Sequence, residues 1–340
     1  MKKHANIPIF IPHLGCPNTC VFCNQKTISG VSEFRPEGVR DEIERALATV
    51  EGGTECEIAF FGGSFTGIDR ALMISLLEIA YSYIEKGLVK SVRCSTRPDY
   101  ISDEILDILE EYGVKTVELG LQSVSDRVLL KTKRGHSFED EKRAAALIKK
   151  RRIDLVGQMM IGLPGSTPED ELRTADFIIS SGAAAARIYP TVVFRDTELC
   201  EMSRRGEYIP ITNEEAVIRS AEVYERFFDA GVKVIRIGLH ASENLRDEAK
   251  FYAGASHSAL GELVLGEFYY NRIKKAITAS GIPKWAKINI KIPLGATSRA
   301  VGQKKRNKLR LIGDFSLGSV KFTEDASLCE GNVSVCLEGR

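Results

Sequence analysis

The sequence predicts a parallel α/β fold, a barrel or an open sheet, followed by a small α+β appendage. Three observations predict it. Short, β-branched and nearly continuous apolar runs alternate with longer segments of helical period. That alternation repeats six times, up to about residue 240. Beyond residue 240 the rhythm breaks and a polar–apolar alternation takes over. A length of 340 residues suits a barrel of about 250 residues with an extra piece.

The strand runs come first. They are Pro8–Ile11, Glu57–Phe61, Ser91–Cys94, Thr116–Leu121, Leu155–Ile161, Ala186–Tyr189 and Lys233–Ile237. Runs this apolar suit strands buried on both faces. Helices fill the gaps. Val39, Ile43, Leu47 and Val50 share one face, and Leu72, Leu76, Ile79 and Tyr83 share another. Thr167-Pro168-Glu169-Asp170 reads as a cap, a proline at the first helical position and acids in the first turn. Thr212-Asn213-Glu214-Glu215 reads as a capping box. The expected division is a domain over 1–240 and a C-terminal α+β domain over 241–340 that closes the barrel or contacts substrate. In the second, 258–280 reads as helix, and Lys287–Ile292 and Val333–Leu337 as strands. Asn244–Lys250 is charged and reads as a surface connection.

Composition excludes several classes. With 44% hydrophobic and 27% charged residues the chain is not disordered. No apolar run is long enough to span a bilayer, and the start is too short and proline-broken for a signal peptide. A soluble, cytoplasmic protein is expected. A net charge of +1 creates no field that demands nucleic acid. Eight cysteines in 340 residues are too sparse for a disulfide scaffold, yet three of them fall within eight residues.

Those three are Cys16, Cys20 and Cys23, spaced C-x3-C-x2-C directly after the first strand run. Three soft thiolates on one loop suit a metal centre. Zinc with His13 as fourth ligand is one reading, although no second cysteine pair completes the usual structural site. The other is a cubane iron–sulfur cluster with one iron left open. Cys56, Cys94 and Cys200 read as small buried residues, and Cys329 and Cys336 lack a third partner for an auxiliary cluster. The absence of a second triad weighs against a methylthiotransferase.

The segment Cys16-Pro17-Asn18-Thr19-Cys20-Val21-Phe22-Cys23 strongly resembles the cluster loop of radical S-adenosylmethionine (radical SAM) enzymes. The resemblance implies a partial (β/α)6, TIM-like barrel. It implies that Cys16, Cys20 and Cys23 hold a 4Fe-4S cluster, whose open iron chelates S-adenosyl-L-methionine. One electron then cleaves that cofactor to a 5′-deoxyadenosyl radical, which abstracts hydrogen from substrate. The electron comes from a reducing donor of flavodoxin or ferredoxin type. Phe22 lies near the adenine in this picture.

Further motifs stand at the C-terminal ends of successive strand runs, where barrel sites lie. Gly62-Gly63-Ser64 resembles the glycine motif that holds the methionine amino group, and glycine lets backbone approach a ligand. A tight turn explains the same residues. Ser95-Thr96-Arg97-Pro98-Asp99 offers Thr96 and a carboxylate-binding arginine, or an ordinary turn. Gln122 ends the fourth run. Arg134, in Lys133-Arg134-Gly135-His136, resembles the partner of the methionine carboxylate. Gln158, inside an apolar run, resembles a ribose contact, and a buried amide needs partners. Gly162 opens a turn resembling the adenine side, and Tyr189 follows the sixth run. The seventh run ends at Gly238-Leu239-His240.

Ser-Thr-Arg-Pro-Asp, Glu-Leu-Gly-Leu-Gln-Ser, Lys-Arg-Gly-His, Gly-Leu-Pro-Gly-Ser and Ile-Tyr-Pro-Thr together most resemble the radical SAM domain of the Elongator catalytic subunit and its short bacterial relatives, over about residues 5–240. That family modifies wobble uridines of tRNA with acetyl-CoA. The present sequence has a shorter gap between its first two cluster cysteines, and the roughly 100 residues past the barrel are too few for the acetyltransferase domain, so acetyl-CoA use is not expected to carry over. A tRNA or RNA nucleoside is thus one expected substrate. A porphyrinogen-type or other small-molecule oxidation is the enzymatic alternative, and a non-catalytic zinc- or cluster-containing RNA-binding module is the other. Lys304, Lys305, Arg306, Lys308 and Arg310 read either as a phosphate-holding patch or as a solvated basic edge.

Overall fold

A computed structural model describes residues 4–338 except Asn18, Ser32, residues 240–246 and Glu248. His240 and most of the Asn244–Lys250 connection therefore lie outside the described residues. The chain divides into two compact units, one of residues 1–211 with 226–256, the other of residues 212–225 with 257–340.

The first unit is built on a curled half-barrel of seven parallel strands. They are β1 (His4–Phe10), β2 (Glu55–Phe61), β3 (Ser91–Thr96), β4 (Val114–Gln122), β5 (Asp154–Ile161), β6 (Ala185–Pro190) and, after the short β7 (Val192–Phe194), β8 (Lys233–Ile237). Their spatial order follows the chain order, with β8 beside β6. β7 leaves the half-barrel and pairs antiparallel with β9 (Phe251–Gly254). This pairing was not legible in the sequence, because three-residue runs carry no period.

Parallel neighbours need crossovers, and capped helices supply them. Ser102, Ser137 and Thr167 each accept the N–H three residues on, and Ser137 and Thr167 complete capping boxes with Asp140 and Asp170. Each such cap is worth about 1 kcal/mol. At Thr212 only part of the expected box is seen. Its hydroxyl accepts the Glu215 N–H, while the Glu215 carboxylate pairs with Arg219. In the helix Arg70–Glu85 the buried stripe is Met73, Leu76, Leu77, Ala80 and Tyr83, shifted by one residue from the predicted face at Leu72 and Ile79.

The strands alternate sharply. Ile58, Phe60, Val92, Cys94, Val117, Leu119, Met159 and Ile188 are fully buried on the helix side. A Cβ on Gly157 of this face would meet Ile178 of the helix Pro168–Ser180 at 2.6 Å. The concave face carries Glu57, Arg93, Glu118, Gln158 and Arg187 instead.

The second unit has a three-stranded sheet in the order β11 (Ser319–Glu324), β10 (Lys287–Ile292), β12 (Ser334–Leu337). Ile288, Ile290, Ile292 and Val320 are buried on one of its faces. The 20-residue helix Leu260–Ala279 belongs to this unit. Among the described residues no helix is long and apolar enough to cross a membrane.

Candidate active site

The cysteine loop leaves β1 at its C-terminal end and packs, backbone to backbone, on the turn after β2. Ser64 donates its N–H to the Leu14 carbonyl at 3.0 Å. A Cβ on Gly63 would lie 2.1 Å from the Leu14 oxygen, and one on Gly15 would lie 2.1 Å from the Ser64 oxygen. Glycine is required at Gly63 because the cysteine loop itself comes that close. Gly62 has φ +108 and would press a Cβ on the Ile11 backbone at 3.1 Å.

The far half of the loop is pinned as well. Val21, between Cys20 and Cys23, donates to the Thr132 carbonyl at 3.2 Å and accepts the Leu199 N–H at 2.8 Å. Phe22 packs against the buried cluster of Val21, Val193, Leu199, Cys200 and Tyr208. Cys23 N–H closes a tight turn on the Cys20 carbonyl at 2.9 Å.

Two buried guanidinium groups flank the thiols. Arg134 donates from Nη1 to Cys20 Sγ at 3.3 Å and from Nη2 to the Gly120 carbonyl. Arg97 is held by a bidentate pair with Asp99 at 2.9 and 2.8 Å. Burial pushes the Cys16 thiol up and Cys20 adds to this, while Arg97 and Arg134 pull it down. Burial, with Cys20 and Cys16, pushes Cys23 up to about 12. The three sulfurs thus lie within electrostatic reach of one another. Among the described residues, no set of three or more His, Cys, Asp or Glu side chains is already drawn to metal-ligating separation. His13 is bound elsewhere, its Nε2 accepting the Gln25 N–H at 3.1 Å.

A hydroxyl chain supports the rim. Ser64 and Thr66 each bond Thr96 Oγ1, at 2.9 and 2.6 Å, and the Ser64 hydroxyl accepts the Arg97 N–H at 3.2 Å. Arg97 Nη1, Arg134 Nε and Gln122 Oε1 are buried without a hydrogen-bond partner, as are His136 Nδ1 and Glu141 Oε2 in the pair next to Asp99. Gln122 and Arg134 come together at Gly120, whose Cβ position lies 3.3 Å from Gln122 Nε2, 3.4 Å from Arg134 Nη2 and 3.5 Å from the Thr96 oxygen, the backbone just before Arg97. Gln122 adopts the left-handed φ of 72° to reach this place. Buried polar groups normally find partners, so two open donors and one open acceptor in one place mark a ligand position.

The remaining sequence candidates sit differently. Gln158 donates to Glu118 at 2.8 Å, and Tyr189 is hydrogen-bonded to Arg187. Both belong to an ion-pair ladder on the concave face, in which Arg93 bridges Glu57 and Glu118 at 2.9 and 3.0 Å and Arg187 reaches Glu118 at 2.8 Å. Burial opposes ionisation of Glu57, but Ser91, Arg93 and His4 together hold its carboxyl below the usual range. Gly162 has both backbone groups occupied, its N–H by Glu171 and its carbonyl by Tyr208, each at 2.7 Å. Sequence reasoning missed the ladder. Its signal was present: lone charges at Arg93, Glu118 and Arg187 in otherwise apolar strand runs. It also missed the buried pair His136–Glu141, joined at 3.1 Å behind Arg97 and Asp99.

The profile of the Radical SAM superfamily matches residues 10–178, and that of the Radical SAM C-terminal domain matches residues 183–270. The chain belongs to the radical SAM superfamily and is an enzyme of that class. The cofactors of the class are a 4Fe-4S cluster and S-adenosylmethionine. An uncharacterized protein of Methanocaldococcus jannaschii is 31% identical over 219 residues, covering 61% of this chain and 67% of that one. The tRNA uridine(34) acetyltransferase of Methanocaldococcus infernus is 38% identical over 125 residues, 36% of this chain and 23% of its own length. The solved Elp3 of Methanocaldococcus infernus, lacking its N-terminus, shares the fold at a TM-score of 0.60 and 24% identity, over 83% of this chain and 64% of that one. The match thus covers a minor part of the acetyltransferase and about two thirds of the other two.

Proposed function

We propose that this chain is a radical SAM enzyme acting on an RNA nucleoside, with Cys16, Cys20 and Cys23 as cluster ligands. The observation that carries the reading is the set of unpartnered buried atoms beside the cysteine loop, Arg97 Nη1, Arg134 Nε and Gln122 Oε1. Two cationic donors fit a carboxylate, and an amide oxygen fits an amino group or hydroxyl. Those are the polar groups of the methionine end of S-adenosylmethionine. The donor set fits the cluster too: three thiols on one pinned loop, with two buried cations to offset thiolate charge.

When bound, the cluster and S-adenosylmethionine supply one-electron cleavage and a hydrogen-abstracting radical. The protein does the rest. Asp99 holds Arg97 in one orientation, Ser64 and Thr96 fix the turn beneath it, and Arg134 donates to a ligand sulfur. The ladder from Glu57 to Arg187 satisfies its own charges and fills the concave face with groups unavailable to substrate. An RNA substrate is supported by the kinship to a tRNA uridine acetyltransferase, while the acetyl transfer of that relative is not part of the proposal. A reductant of flavodoxin or ferredoxin type is required.

Anaerobic reconstitution tests the chemistry. The expected result is a brown protein with about four irons that releases 5′-deoxyadenosine under reductant. Cys20→Ala abolishes both. Colourless protein with stoichiometric zinc overturns the reading. Comparative nucleoside analysis of RNA from a deletion strain tests the substrate, the expected result being one missing modification.

A further inference from the structure

The basic segment that reads as a phosphate patch or a solvated edge has two of its five cations paired within its own unit, and Lys304 and Lys305 stand exposed. Arg306 pairs with Glu214 at 2.6 Å. Arg310 forms a bidentate pair with Glu267 and stacks on Tyr270 at 3.7 Å. A different surface of the same unit stands out. Trp285, the sole tryptophan, is 77% exposed just before β10. It is held in the left-handed region at φ 64°, and Ser316, which faces it, has φ 50°. The Trp285 N–H donates to the Ser316 carbonyl at 2.7 Å, and Gly318 N–H donates to the Ala286 carbonyl at 2.9 Å. A Cβ on Gly318 would lie 2.5 Å from the Trp285 oxygen. Two left-handed residues and a glycine crowded by backbone therefore fix the main chain at Trp285, whose indole stands in solvent. Left-handed backbone is strained for a non-glycine residue and persists only where the surroundings over-determine it.

The neighbouring sheet face supplies the charge. Lys284 and Lys287 flank Trp285 and are exposed. Lys287, Asn289 and Lys291 alternate with the buried isoleucines of β10, and Lys321 stands opposite Asn289 on β11. Asn289 and Thr323 bond across this open face at 3.0 Å. Lys291 pairs with Asp325 at 3.4 Å. Of the acids in adjoining segments, Asp314 accepts from Tyr270 and Glu338 from Ser319. The open face is thus polar, with more lysines than acids and one exposed aromatic at its end.

We propose that Trp285 is a stacking platform for an unpaired RNA base, with Lys284, Lys287 and Lys321 holding the adjoining phosphates. An exposed ring accepts any base by its π-face, and lysines track the backbone. The proposal rests on the RNA reading above and adds the surface that grips the substrate.

Because the chain has one tryptophan, its emission reports this site alone. The experiment titrates the full chain at low salt with a short single-stranded oligouridylate, following indole emission and, separately, anisotropy of labelled oligonucleotide. The expected result is saturable quenching in step with anisotropy. Replacing Lys284 and Lys287 by Gln lowers the slope of log K against log salt by about 0.7 for each phosphate no longer neutralised. Trp285→Gly relieves the left-handed strain, so its melting temperature holds or rises while affinity falls about 5- to 150-fold. A Trp285→Gly protein that binds RNA like the parent overturns the platform and leaves the RNA reading standing. Quenching by anionic vesicles and not by RNA overturns the platform in favour of a membrane surface. No RNA binding at all overturns the platform and the RNA substrate, while 5′-deoxyadenosine release separately decides the radical chemistry.

Discussion

Arg134 donates from Nη1 to the Sγ of Cys20 at 3.3 Å, and its other terminal nitrogen is anchored on the Gly120 carbonyl at the end of β4. A candidate cluster ligand is thereby tied to the core of the half-barrel by a single buried side chain. Charge-assisted hydrogen bonds are roughly twice as strong as neutral ones, and partners behind metal ligands commonly change affinity 10- to 100-fold.

Arg134→Ala is therefore expected to fold and to lose iron readily. After reconstitution and a chelator challenge, iron retained per chain falls about 10-fold or more relative to the parent. Arg134→Lys keeps the charge and loses the forked geometry, so it falls between the two. Equal iron retention in all three proteins refutes a role for this hydrogen bond in holding the cluster.

The glycine turn gives a second expectation. Gly63→Ala places a Cβ 2.1 Å from the Leu14 oxygen, with backbone on both sides. Its φ lies outside the left-handed region, so the cost is purely steric. Gly53 is the converse, with φ +82 and open space around it. Gly53→Ala is expected to cost about 1 kcal/mol, and Gly63→Ala more than about 2 kcal/mol together with exposure of Cys16. Thermal unfolding and alkylation rates of the iron-free protein measure both.

The ladder on the concave face gives a third. Glu118 is 1% exposed and accepts from Arg93, Arg187 and Gln158. Glu118→Gln keeps the shape and removes the anion two arginines share. Breaking a buried pair by removing one partner costs about 3–5 kcal/mol. Urea unfolding is expected to show a loss of that order, and Arg187→Met on top of it is expected to recover part of the loss. A second loss that simply adds to the first rules out the shared-anion account.

The alternation of apolar runs and helical periods was enough to place all seven strands, because a parallel strand buried on both faces cannot be polar over its length. The cysteine loop was legible from spacing alone. The reason for Gly63 was not, since a loop from residue 14 folding on a turn at residue 63 is a tertiary contact. Gln158 and Tyr189 carried a signal, a polar group in an apolar run, but Gln158 bonds Glu118 on another strand and Tyr189 is tied to the same Glu118 through its strand neighbour Arg187. The same holds for the basic segment, where Glu214 and Glu267 stand 92 and 43 residues from the arginines they neutralise. Trp285 was silent in sequence because left-handed strain has no composition.

The buried pair His136–Glu141 yields the last expectation. Both side chains are fully buried and joined at 3.1 Å, with His136 Nδ1 4.0 Å from Asp99. Burial, with Arg134 and Arg97 adding, pushes His136 from 6.5 down to about 3. Burial pushes Glu141 well above 4.5. Burial thus disfavours the charged form of both groups, so the folded carboxyl retains its proton to higher pH than the unfolded one while the imidazole gives its proton up sooner. The depressed histidine contributes stability that is present above 6.5 and lost as pH falls toward 3. The raised carboxyl contributes stability that is present below 4.5 and lost as pH rises. Between 4.5 and 6.5 the unfolded chain also carries one proton on these two groups, so the effects cancel. Above 6.5 the unfolded chain carries none, and only the loss from Glu141 remains. From pH 6 to pH 8 the iron-free protein is therefore expected to lose stability on this account. Glu141→Gln removes the retained proton and leaves the histidine contribution alone, so the same interval brings a gain of about 0.8 kcal/mol. Urea unfolding of parent and variant at the two pH values measures the difference, and parallel pH dependences in the two proteins exclude a retained proton on this pair.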